Sequence, residues 1–153
     1  MKRFDYTLDY KNIDFTLEEN RHLYRIGRGE QGVLLCRPYT DDICALWRFK
    51  TKSEAIDSSE AIYQMYLKYK DDGDFIGMDM ARKFLEMGFT RSRRYANHRD
   101  GKKYNPAGEV KPQEPDALTC EKAQCATIFK LLRDIVTHDE EYIKMRKEWR
   151  SQE

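Results

Sequence analysis

The densest chemical signal in the sequence is the stretch from Arg91 to Tyr104. Its fourteen residues include six basic side chains, a single acid, two tyrosines and one histidine. Guanidinium forks bind phosphate oxygens in pairs, ammonium groups add point charge, and tyrosine rings stack on exposed bases. Arg91, Arg93, Arg94, Tyr95, Asn97, His98, Arg99, Lys102, Lys103 and Tyr104 are therefore candidate ligand-binding residues. The mixture suits nucleic acid or another phosphate-rich ligand. A competing reading is internal neutralisation. Residues 51–81 carry three basic and seven acidic side chains, residues 82–104 eight basic and two acidic, while the whole chain is only +1. Acids such as Asp57, Glu60, Asp71 and Asp72 could cover the cationic run, leaving a solvated face with no partner.

His98 lies two positions from Asp100, which opens a second class of function. A small enzyme acting on a nucleotide or phosphorylated metabolite could hold its substrate with these cations and use His98 as acid or base. A third class is a protein–protein interaction or structural module built on the tyrosines, tryptophans and arginines. No catalytic residue can be assigned, and the enzyme question leans towards no. Neither a metal nor another cofactor is expected. His22 and His138 are remote in sequence, Asp71-Asp72-Gly73-Asp74 lacks the rest of a calcium loop, and Cys120 and Cys125 have no second pair at zinc spacing.

Gly27-Arg28-Gly29-Glu30-Gln31-Gly32 matches GxGxxG and resembles the phosphate-covering loop of protein kinases, which adds Arg28 to the candidate phosphate-binding residues. The following strand of that family carries a lysine, and here Trp47 or Arg48 stands in its place. A tight turn that needs positive φ at glycine is the alternative.

These residues must be positioned by local elements. Phe4, Tyr6, Leu8 and Tyr10 alternate with polar residues, as on a strand with one buried face. Thr16 to Glu19 has capping-box spacing for a short helix. Gly32 to Cys36 and Ile43 to Phe49 read as two strands of a hairpin joined across residues 37–42. Ser53 then caps a helix over 54–70, and Asp74 caps another that stops near Gly88. Thr90 begins a short helix through Asn97. A long loop covers 97–116, with Pro106, Gly108, Pro112 and Pro115. Helices capped by Asp116 and Asp139 complete the chain. The expected class is α+β: a small N-terminal β-hairpin or sheet followed by four to five helices. One domain spans 1–153, strand-rich over 1–50 and helical over 51–153.

A chain of 153 residues with 40% hydrophobic and 12% aromatic content can bury roughly two thirds of its unfolded surface around one core. No apolar run approaches the ~20 residues of a membrane-spanning helix, and no export signal follows Lys2 and Arg3. A cytoplasmic, membrane-free protein with four reduced cysteines is the expectation. Nothing in the sequence specifies an oligomeric state.

Gly27 to Val33, Leu46 to Lys50, Met80 to Leu85 and Arg91 to Tyr104 resemble an uncharacterised domain-of-unknown-function family, and the likeness spans nearly the whole chain. The resemblance implies a short stand-alone protein of a kind found in bacteria, bacteriophages and some fungi. It brings no assigned activity, cofactor or site residue.

Overall fold

The computed structural model describes residues 2–153, and its regular structure is helical. Six helices follow in order: α1 (Glu18–Arg21), α2 (Tyr39–Cys44), α3 (Lys52–Asp71), α4 (Phe75–Asn97), α5 (Glu121–Thr137) and α6 (Glu140–Gln152). A 3-10 turn at Tyr10–Asn12 precedes them. Helix α4 is the centre of the fold and meets α2, α3, α5 and α6. Every residue from Phe75 to Leu85 is buried. A helix with no exposed face over three turns is enclosed on all sides, its charged residues Asp79, Arg82 and Lys83 included. Buried residues from Tyr10 to Tyr142 form one continuous apolar cluster around it.

The expected α+β class is therefore wrong, and no sheet forms among the described residues. The one β-bridge joins Tyr104 to Val110, inside the loop before α5. Three stretches expected as strands satisfy their backbone locally instead. In the N-terminal arm, Phe4 and Leu8 pack on the core whereas Tyr6 is 65% exposed, so the alternation does not build a common face. After the glycines, the amides of Val33 and Leu35 turn back onto Glu30 and Gly32. Thr40 Oγ1 donates to the Val33 carbonyl and accepts from the Cys36 amide, taking the place of a strand partner. The expected hairpin connection is itself a helix. Pro38 stands at the N-cap of α2, with Asp41 and Asp42 in the first turn where the helix dipole favours them.

Several boundaries also move. Thr51, not Ser53, caps α3 by accepting from Glu54 N. Thr16 bonds to Asp14 and leaves α1 with no side-chain cap. Residues 115–119 form turns and α5 begins only after Cys120, so Asp116 is not its cap. Asp74 does cap α4, accepting from Gly77 N at 3.1 Å.

Gly88 does not end α4. The helix runs unbroken through Thr90 to Asn97, because the missing side chain at Gly88 serves a different purpose. A Cβ there would lie 2.3 Å from Phe129 Cδ1 of α5. Glycine here allows two helices to cross closely, and the two short helices expected at 74–88 and 90–97 are one rod.

At the buried end of that rod Asp79 gathers four partners. Its carboxylate accepts from Tyr24 OH at 2.5 Å, Tyr142 OH at 2.6 Å and Arg82 Nε at 2.8 Å, with Lys83 Nζ at 3.9 Å. Burial by itself would raise the Asp79 carboxyl. The charges of Arg82 and Lys83, with hydrogen bonds from Arg82 and Tyr142, outweigh it and hold the group at about 2.

Two outcomes follow for stability. Gly88→Ala is expected to cost about 1–3 kcal/mol by overpacking against Phe129, read as a lower urea midpoint with unchanged slope. Asp79 has a folded pKa below its ordinary value of 3.8, so its stabilising contribution is full above about pH 4 and is lost as pH falls towards 2. Asp79→Asn strands the buried Arg82 and Lys83 charges. It should cost about 3–5 kcal/mol at neutral pH and remove that component of the acid transition.

Candidate nucleic-acid interface

The last two turns of α4 and the loop behind it hold the cationic segment. Ser92 and Ala96, four residues apart, face the interior, which turns Arg91, Arg94 and Tyr95 to solvent. Arg93 is half-buried. Its Nη2 donates to Asn97 Oδ1 at 2.7 Å and to the Ala117 carbonyl, tying the helix end to the far side of the loop. The same loop is held by Glu114 N on the Asn97 carbonyl and by Lys111 N on the Lys103 carbonyl. The residues after Asn97 are thus a folded-back, hydrogen-bonded turn.

The competing reading, neutralisation by the acidic segment, holds only at the buried start of the cationic run, where Arg82 and Lys83 face Asp79. Among the described residues no ion pair joins 91–104 to 51–81. Asp74 pairs with Arg21 at 2.7 Å and Asp79 with Arg82, while Asp57 and Glu60 border a separate pocket on α3. Within the segment, Arg99 reaches Asp116 at 3.7 Å while 77% exposed, and Asp100 binds Lys111 at 2.9 Å. Among the described residues, Arg91, Arg93, Arg94, Lys102 and Lys103 have no ion-pair partner.

Five of the predicted residues come together around one cleft of about 290 Å³: Arg93, Arg94, Asn97, His98 and Lys103, beside Phe89. Thr90, Val110 and Gln113 complete its wall, and no carboxylate lines it. His98 is buried and its Nδ1 has no hydrogen-bond partner. Asp100, which the sequence set beside it, is occupied by Lys111 and the Lys102 amide, so no His98–Asp100 pair forms. Tyr104 is 54% exposed, with the Lys103 ammonium 5.6 Å from its ring centroid.

Arg28 does not join this group. It lines another cleft, of about 370 Å³, with Lys2, Arg3, Phe4, Tyr6 and Gln31. The glycine loop presents its carbonyls to the protein's own cations. Arg82 Nη1 binds Gly29 O at 2.7 Å, Lys83 Nζ binds Arg25 O and Gln31 O at 3.0 and 2.7 Å, and Arg150 Nη2 binds Gly27 O at 2.9 Å. Its Arg28 amide is already taken by Gln31 Oε1. A phosphate cradle needs free amides pointing outward, and here the loop wraps buried cations instead. Burial lowers the Lys83 amine to about 8, with Asp79 opposing the shift.

A second cleft lies beside the cationic segment. Trp47 and Phe49 from the α2–α3 connection, Tyr95 from α4 and Lys122 from α5 line a cleft of about 320 Å³. The alternation of ring and cation over Trp47-Arg48-Phe49-Lys50 carries the same signature as 91–104. In the sequence, that alternation reads equally as a strand.

All four cysteines are free thiols, and Cys36 and Cys125 are buried. Among the described residues no group of three or more His, Cys, Asp or Glu side chains converges as a metal site. No helix among them is long and apolar enough to cross a membrane. No curated protein and no solved structure matches the chain. A family model described as "Domain of unknown function (DUF4385)" matches residues 5–152. By that near-complete match, the chain belongs to the DUF4385 family.

Proposed function

We propose that this protein is a non-enzymatic nucleic-acid binder that takes a phosphate backbone along the C-terminal end of α4 and the loop behind it. The supporting observation is the set of uncommitted cations. Among the described residues, Arg91, Arg94 and Lys102 are exposed without ion-pair partners, and Arg93, Arg94 and Lys103 border a cleft that no carboxylate lines. A row of unneutralised cations beside exposed Tyr95 and Tyr104 fits an extended polyanion with accessible bases better than a single small anion. The enzyme alternative is weakened because the carboxylate that would orient His98 is held by Lys111. A cytoplasmic location belongs to the same proposal, supported by the free thiols.

Fluorescence anisotropy with labelled oligonucleotides over a salt series tests the reading. Affinity should fall steeply with salt, and Arg91→Ala/Arg94→Ala should reduce the log–log slope by about two. Absence of binding at low salt would overturn it. Because Arg91 and Arg94 are exposed and unpaired, that double variant should keep its stability within about 0.5 kcal/mol. Arg93→Ala should instead lose about 1–3 kcal/mol, since it frees the Ala117 carbonyl and unties the loop.

A further inference from the structure

We infer that the cleft formed by Trp47, Phe49, Tyr95 and Lys122 is a stacking site for an unpaired nucleobase of the strand whose phosphates lie along α4, an inference that rests on the proposed nucleic-acid binding. Its rings form a continuous tilted wall. Trp47 and Phe49 are 4.8 Å apart between centroids at 53°, and Phe49 and Tyr95 are 6.2 Å apart at 42°. The inner end of this wall is anchored, with the Trp47 ring 6.3 Å from Phe84 of the core. The outer end is open, with Tyr95 40% exposed. The Trp47 indole N–H is buried and has no hydrogen-bond partner.

Placement of the outer ring depends on Gly101. That residue has φ +75°, and a Cβ on it would lie 2.7 Å from Tyr95 Cε1. The loop can therefore lie against the Tyr95 ring and hold it beside Phe49 without pushing it across the cleft.

Charge around the rings selects the ligand. Arg48, Lys50 and Lys122 line the same cleft, against one acid, Glu54. The Lys122 ammonium is 4.8 Å from the Phe49 centroid and 5.7 Å from that of Tyr95. It is fixed there by the carbonyls of Phe49 and Lys50 at 2.6 and 3.2 Å. Arg91 precedes Tyr95 by four residues on the same face of α4. A flat π-face with negative charge attached next to it satisfies both the rings and their cationic rim, and an unpaired base on a phosphate backbone has that form. Bases within a duplex keep their faces stacked on one another.

Binding of a short oligodeoxythymidine strand is compared with an abasic strand of equal length, which keeps the phosphates and lacks the bases. At one salt concentration the abasic strand should bind about tenfold more weakly or worse. Tyr95→Ala should lose a similar factor on the thymidine strand and almost nothing on the abasic strand, and Tyr95→Phe should retain the original affinity. Equal binding of the two strands would overturn the stacking site while leaving phosphate binding intact. A preference for bases that survives Tyr95→Ala would also overturn it, because stacking would then occur elsewhere. Failure of both strands to bind at low salt would overturn this inference together with the proposed function.

Discussion

The buried carboxylate of Asp79 organises the molecule. A lone ion inside a protein is very unfavourable, so Asp79 requires partners, and those it has come from three separate parts of the chain. Tyr24 belongs to the N-terminal region, Arg82 and Lys83 to its own helix, and Tyr142 to α6. The two cations in turn require acceptors, which the glycine loop supplies as carbonyls. Satisfying one buried charge thus draws an irregular N-terminal third onto a helical body with no sheet to hold it there.

Helix α4 carries out two tasks along one axis. Its first three turns are enclosed, and Asp74 at its start binds Arg21 and Tyr39 as well as capping the helix. Its last two turns leave the core and carry unneutralised arginines. Gly88 lies between these regimes and lets α5 cross closely without a break in the rod. The exposed end is therefore rigidly coupled to the best-packed part of the protein. A rigid element presents cations and rings at lower entropic cost than a mobile loop would.

The same physics explains why the glycine motif has a role other than the one its spacing suggested. Phosphate loops and this loop both exploit glycine to bring backbone close to charge. Which charge depends on whether amides or carbonyls point at the partner. Around Gly27 to Gly32 carbonyls point inward to Arg82, Lys83 and Arg150, a choice made by residues that lie 50 or more positions away.

Legible in the sequence were the features that depend on near neighbours: the long amphipathic helix after residue 50, the Asp74 and Asp139 caps, and the composition of the cationic run. Strand-like alternation at Phe4 to Tyr10 and over 32–49 does not become a sheet, because period-2 patterning needs a pairing partner: Thr7 and Tyr10 bond back to Asp5 and Leu8, and the 32–49 stretch bonds to Thr40, Glu30 and Ser58. Composition and local spacing already show an arginine- and tyrosine-rich segment and enough apolar residues for one core. Contacts between distant elements leave Arg91, Arg94 and Lys102 exposed while tying down Arg93, set Arg28 elsewhere, and bring Trp47, Phe49 and Lys122 beside Tyr95. Those outcomes depend on which distant groups meet a buried charge or a ring, and that information resides in contacts between helices rather than in local spacing.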